Sequence, residues 1–326
     1  MLAALCALPL GAQPKKIVVM RGFEGSIEEL RGAAPGVTLV APPADKLREA
    51  VVDADAIIGG INPELFRAAK KLKWVQVHSA GVESYLFPEF AASDVVLTNC
   101  KIIQGPNIAD HAMAMLLALT RELNRAIPAR AQQQWARGGY HPIELRGKTA
   151  VVIGVGGIGA QIAQRASAFG MTVIGVDPKD ISYHPSVSRM VFPDQLDSVL
   201  PEADVVFVAA PHTPESEGMM GARQFELLKR GAYFVAVSRG KLYNTDALVK
   251  ALDSKRLAGA GLDVTNPEPL PKGHPLWNFE NVIITPHYAG QSDQVQTRRI
   301  ALVRENVARF AAGKPLLNVV DKKKGY

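Results

Sequence analysis

The sequence predicts an α/β protein with two doubly wound parallel sheets. Three observations support this fold class. Short apolar runs alternate with stretches of helical spacing, a glycine-rich turn follows one of these runs near mid-chain, and 326 residues are enough for two cores. Such alternation is typical of parallel sheets covered by helices on both faces.

The first series of elements begins at Lys16. Five runs predict strands: KIVVM, VTLV, DAIIGG, KWVQVHSAG and VVLTN. Three stretches between them have helical spacing: SIEELRGA, ADKLREAVV and PELFRAAKKL. A longer helix from Asn107 to Leu123 follows, and we expect it to be buried because it is apolar around much of its circumference.

The second series begins at Lys148. Six more runs predict strands: TAVVIGV, TVIGVD, DVVFVAA, AYFVAVS, GAGLDV and NVIITPH. Helices are predicted for Ile158 to Phe169 and Asn244 to Leu257, and a final helix for Asp293 to Ala312.

Composition narrows the classes of partner. The net charge is +6, but the basic residues are scattered, so nucleic acid is not an expected partner. Cys6 and Cys100 can make neither a disulfide framework nor a metal site, and we expect no metal.

The glycine-rich turn has the pattern G-x-G-x-x-G. Gly154, Gly156 and Gly159 follow a strand and open a helix, and Gly157 and Ile158 complete the turn. Such turns let a dinucleotide's pyrophosphate approach the backbone, and the helix N-terminus attracts the phosphates. The sequence therefore predicts a dinucleotide site.

Asp177 closes the next strand, eighteen residues beyond the last of these glycines, where an acid receives ribose hydroxyls. Its charge would repel a 2′-phosphate, which favours NAD, although Lys179 keeps NADP open. A cap of the turn before Pro178 is the alternative interpretation of Asp177.

Three residues near strand ends could carry chemistry. Arg239 could bind a carboxylate in two places and polarise a carbonyl, His287 could transfer a proton, and Glu268 could orient that histidine. Taken singly, each has a plainer interpretation: a surface arginine, a solvated glutamate between prolines, and a structural histidine.

Together with the glycine turn, four stretches resemble the D-isomer-specific 2-hydroxyacid dehydrogenases: LRGKTAVVIGVGGIG, SRG, GLDVTNPEPLP and TPHYAG. The resemblance implies that Arg239 binds substrate, Glu268 is the acid and His287 the proton donor. It implies that Asp263 and Pro211 contact the cofactor, and that substrate is held by HSAGVES through Ala80, Gly81 and Val82. The family often has asparagine at the position of Ala236. The alanine could loosen a hydrogen bond that supports the loop, without removing a catalytic group.

The resemblance also implies the organisation of the chain. A Rossmann-like NAD-binding domain, residues 107–292, would be inserted into a substrate-binding domain of residues 16–106 and 293–326. The expected protein is a homodimer that interconverts a D-2-hydroxy acid and a 2-keto acid, with glyoxylate or hydroxypyruvate as the small keto acid. A phosphoglycerate dehydrogenase and an NAD-sensing corepressor-like protein are alternatives, whereas Glu268 argues against a formate dehydrogenase, which has glutamine there.

Residues 1–15 stand apart as a signal-like or disordered extension. Leu2 to Leu10 form an apolar run followed by small residues, but no positive charge precedes the run. The run is too short to cross a bilayer as a helix, and no other transmembrane segment is expected. A nicotinamide cofactor favours the cytoplasm, and export is the alternative.

Overall fold

The computed structural model describes residues 14–20, 22–135, 138–179 and 184–325, which form two compact units. One unit comprises the described residues up to Lys101 and those from Gln296 onward, and the other comprises Ile102–Val295. The second unit is therefore an insertion in the sequence of the first. Residues 1–13, which include most of the signal-like segment, lie outside the described residues.

The first unit contains a five-stranded parallel sheet in the order β2-β1-β3-β4-β5. Its strands are β1 (Lys16–Val19), β2 (Thr38–Val40), β3 (Ala56–Ile58), β4 (Trp74–Gln76) and β5 (Val96–Thr98). Its helices are α1 (Ile27–Gly32), α2 (Leu47–Ala50), α3 (Pro63–Ala68), α4 (Pro88–Ala91) and the last helix of the chain, Val295–Ala311. All five predicted strands are present.

Apolar clusters cover both faces of this sheet because successive side chains of a strand point to opposite faces. Val18 of β1 packs into one cluster, whereas Ile17 and Val19 pack into the other. The last helix contributes Val303 and Val307 to the second cluster. The chain thus returns after the insertion and completes the core of the first unit.

The second unit contains a seven-stranded parallel sheet in the order β12-β11-β10-β9-β6-β7-β8. Its strands are β6 (Thr149–Ile153), β7 (Thr172–Val176), β8 (Arg189–Val191), β9 (Val205–Val208), β10 (Ala232–Ala236), β11 (Leu257–Leu262) and β12 (Val282–Ile284). Its helices are α5 (Gly105–Thr120), α6 (Leu123–Ala131), α7 (Gly159–Ala168), α8 (Leu196–Val199), α9 (Ala222–Leu227) and α10 (Thr245–Asp253). The last helix, described above with the first unit, is α11 (Val295–Ala311).

Strand β8 was not predicted, and two predicted helix ends are wrong by three residues or more. The helix expected to reach Leu257 ends at Asp253, because Lys255 takes a positive φ of 56° and Leu257 begins β11. The helix expected to reach Leu123 ends at Thr120.

No helix in the described ranges is both long and apolar enough to cross a membrane. In the same ranges, no three His, Cys, Asp or Glu side chains come together as a metal site.

Candidate active site

The predicted residues of the second unit follow the carboxyl ends of its strands. The first strand of the series, β6, lies inside the sheet, and the strand order reverses between β6 and β9, which is where α/β sheets bind ligands. Since all strands are parallel, these ends share one edge of the sheet. At that edge lie Gly154 after β6, Asp177 after β7, Pro211 after β9, Arg239 after β10, Asp263 after β11 and His287 after β12.

The glycine turn leaves no room for side chains at its first and third glycines. Gly154 has a φ of +86°, and a Cβ there would lie 2.5 Å from the backbone of Ala210. A Cβ on Gly159 would overlap the carbonyl oxygen of Gly154. At Gly156, by contrast, a Cβ would have no atom within 4 Å, so this side of the turn is open to a ligand.

The same turn presents donors without acceptors. Among the described residues, none accepts a hydrogen bond from the backbone N–H groups of Gly156, Gly157 and Ile158. α7 begins at the next residue, so its positive dipole end lies beside them. Unpaired N–H groups at a helix N-terminus fit the phosphates of a dinucleotide.

Asp177 is nearly buried and contacts the glycine turn. One carboxylate oxygen accepts the N–H of Val155 at 2.8 Å, and the other accepts the N–H of Lys179 at 2.9 Å. Asp177 therefore caps its own turn, as the alternative interpretation has it. Each carboxylate oxygen can also accept a further bond, so the cap is compatible with ribose hydroxyls.

His287 and Glu268 form a direct pair. Nδ1 of His287 lies 2.7 Å from Oε1 of Glu268, and the side chains are 43% and 42% exposed. Because a carboxylate only accepts, Nδ1 carries the proton. The other ring nitrogen, Nε2, has no partner among the described residues and is accessible to a substrate.

The loop that bears Glu268 is tied to the segment that follows Arg239. The hydroxyl of Tyr243 donates to Val264 at 2.7 Å, and that of Thr245 donates to Asn266 at 2.8 Å. Burial, reinforced by the charge of Glu268, raises the pKa of Tyr243, which keeps its hydroxyl a donor. A Cβ on Gly240 would overlap the Thr265 carbonyl, so the SRG glycine permits this close approach.

Asp263 is buried and holds the loop that bears His287. Its carboxylate accepts the hydroxyl of Thr285 at 2.6 Å and the N–H groups of Tyr288 and Ala289, each at 3.1 Å. Its own carbonyl accepts the N–H of His287 at 2.9 Å. The carboxylate thus accepts three hydrogen bonds from the protein itself, a structural role that sequence reasoning did not predict.

Arg239 and Pro211 are placed at the same edge. Arg239 is half-buried, and its guanidinium donates to the carbonyl of Ser238 at 2.7 Å. Pro211 follows β9 and is exposed. Its carbonyl accepts a hydrogen bond from the hydroxyl of Ser216.

In the first unit, a loop after β4 presents three N–H groups. Asn99 donates to the carbonyl of Ala80 at 2.6 Å, and Ser79 donates to that of Gly81 at 2.6 Å. Among the described residues, the N–H groups of Ala80, Gly81 and Val82 have no acceptor. Tyr85, Leu86 and Phe87, which could line a pocket or the core, pack half-buried against the first-unit core.

Comparison with known proteins identifies the family. The model of the "D-isomer specific 2-hydroxyacid dehydrogenase, NAD binding domain" matches residues 113–289. The chain belongs to this family. It is therefore an NAD(P)-dependent oxidoreductase of D-2-hydroxy acids, as the resemblance implied.

Relatives of this 2-hydroxyacid dehydrogenase include enzymes of two activities. A glyoxylate reductase from Korarchaeum cryptofilum is 33% identical, over 86% of this chain and 87% of that protein. A D-3-phosphoglycerate dehydrogenase from Archaeoglobus fulgidus is also 33% identical, over 80% of this chain but only 49% of that protein.

Solved structures agree with the fold. The NADPH-dependent glyoxylate/hydroxypyruvate reductase from Sinorhizobium meliloti, in complex with NADP and sulfate, has a TM-score of 0.81. It is 28% identical, and the alignment covers 96% of this chain and 100% of that chain. Either NAD or NADP fits the cofactor site of this 2-hydroxyacid dehydrogenase.

Proposed function

We propose that this dehydrogenase reduces a small 2-keto acid of the glyoxylate or hydroxypyruvate type, with His287 as the proton donor. The observation that carries the proposal is the 2.7 Å contact between His287 and Glu268, which fixes the ring by Nδ1 and leaves Nε2 to face substrate. The glyoxylate reductases among the relatives support the substrate class.

The two residues divide the proton chemistry. Glu268, as a carboxylate, stabilises the imidazolium of His287, which then donates its Nε2 proton to the oxygen that develops negative charge at C2. In the oxidation direction, neutral His287 accepts the hydroxyl proton, so hydroxy-acid oxidation should be favoured at higher pH.

In the second unit, Arg239 would bind the substrate carboxylate. A guanidinium forms two parallel bonds with a carboxylate, and its charge also polarises the neighbouring carbonyl. In the first unit, the unpaired N–H groups of Ala80, Gly81 and Val82 would offer donors to a substrate.

The cofactor would be held by residues of the domain 107–292: the phosphates by Gly156, Gly157, Ile158 and the start of α7, and the ribose by Asp177. Pro211 and Asp263 lie further along the same edge, on the side where the nicotinamide would bind. When bound, the reduced nicotinamide supplies the hydride for C2. Residues 16–106 and 293–326 would form the substrate domain. The charge of Asp177 favours NADH over NADPH.

A screen of 2-keto acids tests this function. NADH oxidation should be fastest with glyoxylate or hydroxypyruvate, slower with pyruvate and bulkier keto acids, and the hydroxypyruvate product should be D-glycerate. Faster turnover of 3-phosphohydroxypyruvate would instead indicate the phosphoglycerate dehydrogenase reaction. NADH binding without turnover of any keto acid would contradict the proposal and favour an NAD-sensing binding protein.

A further inference from the structure

One side of α5 carries three polar side chains that contact the segment 285–291, which bears His287. They are Gln104 at the N-cap, Asn107 and His111, spaced i, i+3 and i+7, so they share one helix face. The buried face of this helix is apolar: Ile108, Ala112 and Met115 lie in the core of the second unit. Gln104, Asn107 and His111, called the polar stripe below, are therefore not needed to pack the helix against the core.

Two amides of the stripe bind the end of this segment. Gln104 Nε2 donates to the carbonyl of Gly290 at 3.1 Å. Asn107 Nδ2 donates to the carbonyls of Ala289 at 2.8 Å and Gln291 at 3.4 Å. A Cβ at Gly290 would lie 2.7 Å from Gln104 Nε2, so the glycine allows this contact.

His111 binds the beginning of the segment. Its Nε2 lies 2.9 Å from the hydroxyl oxygen of Thr285, and that hydroxyl already donates its hydrogen to Asp263 at 2.6 Å. The oxygen of Thr285 must therefore accept from His111, so Nε2 carries a hydrogen. The ring of His111 also meets that of Tyr288 edge to face, with 5.1 Å between centroids.

These hydrogen bonds hold the chain both before and after His287 in the sequence. Thr285 precedes it, whereas Tyr288, Ala289, Gly290 and Gln291 follow it, and each of these residues contacts the stripe or Asp263. His287 itself has a positive φ of 50°, which is uncommon for a residue other than glycine.

We propose that Gln104, Asn107 and His111 are positioning residues that hold His287 against Glu268. His111 acts through Thr285 and Asp263, and the two amides act through the carbonyls of the residues that follow His287. They act on the orientation of the proton donor and not on the binding of substrate. This inference rests on the proposed role of His287.

Substitutions in the stripe test the inference. Asn107→Ala and His111→Ala should lower kcat for keto-acid reduction by about 10-fold to 100-fold, because a misplacement of about 1 Å has such effects. The KM for keto acid and the Kd for NADH should change less than about threefold. The midpoint of the pH–kcat profile should move to lower pH, since a looser contact with Glu268 stabilises the imidazolium less.

Two further variants guard against a loss of fold. His111→Gln keeps a donor near Thr285 and should recover most of the kcat. Gln104→Ala is the mildest change, because it removes only the hydrogen bond to the carbonyl of Gly290. Asn124→Ala is the matched control: Asn124 also donates its amide from a helix to a loop carbonyl, that of Glu280 at 2.7 Å, but outside segment 285–291. Its kcat and pH profile should equal those of the wild type.

The outcomes separate this inference from the proposed function. If the folded stripe variants match Asn124→Ala in kcat, or if their kcat falls with no change in the pH midpoint, the positioning role is wrong. If His287→Gln is inactive while the stripe variants are normal, only this inference fails. Full activity of His287→Gln would instead refute the proposed function.

Discussion

The guanidinium of Arg239 is planar and offers a carboxylate two parallel hydrogen bonds, whereas a lysine offers a point charge. Arg239→Lys should therefore raise the KM for keto acid and also lower kcat, since the same orientation polarises the carbonyl. Loss of one charge-assisted bond costs about 1.5–3 kcal/mol, or roughly 10-fold to 100-fold in kcat/KM. Steady-state kinetics with the preferred keto acid measure both constants.

Two controls accompany this substitution. NADH fluorescence without substrate should give an unchanged cofactor affinity. Arg223→Lys, at a surface pair with Asp197, should leave the kinetics unchanged. If Arg239→Lys weakens NADH but spares the keto-acid constants, Arg239 belongs to the cofactor site.

The carboxylate of Asp177 accepts a structural hydrogen bond and also carries a negative charge. A substitution can remove the charge and keep the hydrogen bond. Asp177→Asn keeps an acceptor for the N–H of Val155 but removes the negative charge that would repel a 2′-phosphate. The ratio of kcat/KM for NADH to that for NADPH should fall by roughly tenfold, about 1.4 kcal/mol. Asp194→Asn, an exposed site in the same unit, should leave the ratio unchanged. A wild type that already prefers NADPH would contradict the assignment of NAD.

The candidate site residues could be selected from their types and their order along the chain, but most of their hydrogen-bond partners could not be predicted. Glu268 and His287 were recognisable because each follows a strand within a distinctive stretch. The links of Asp263 to Tyr288 and Ala289 use backbone N–H groups, which leave no signature in residue type. The polar spacing of Gln104, Asn107 and His111 on an apolar helix was the available signal for the stripe.

Among the secondary-structure elements, Gly240 governs the approach of two loops that leave β10 and β11. Gly240→Ala should push the Thr265 carbonyl away and displace the Glu268 loop, since the new Cβ would overlap that oxygen. Overpacking of this kind costs about 1–3 kcal/mol, and the Tm should fall by roughly 2–10 °C. The kcat should fall as well, because Glu268 no longer meets His287 at 2.7 Å.

Calorimetry and kinetics on the same preparations check this prediction. Gly32→Ala is the control, because a Cβ at Gly32 would have no atom within 4 Å. A Gly240→Ala protein with the Tm and kcat of Gly32→Ala would show that the two loops do not need this close approach.

Strands were more predictable than helix ends. Eleven of the twelve strands in the described residues appear as short apolar runs, so they could be assigned from sequence. β8 was missed because its three residues, Arg189–Val191, include a charged side chain and only two apolar ones. The end of α10 was missed because the positive φ of Lys255 occurs at a residue other than glycine.

The organisation of the whole chain follows from strand direction. Every strand pair in both sheets is parallel, so the residues that follow the strands of one sheet gather at one edge. The late glycine turn predicted that the nucleotide-binding sheet starts near mid-chain, and β6 does start at Thr149. The return of α11 to the first unit came from the family resemblance, since the apolar spacing of a helix does not reveal which sheet it covers.

The most direct test of the proposed chemistry is the turnover of His287→Gln with its best keto acid, measured beside the Kd for NADH. We expect kcat to fall by roughly 10²–10⁴-fold, the range for loss of a general acid, while the Kd for NADH stays within about twofold. Turnover at the wild-type rate with intact NADH binding would remove His287 from the mechanism and contradict the account.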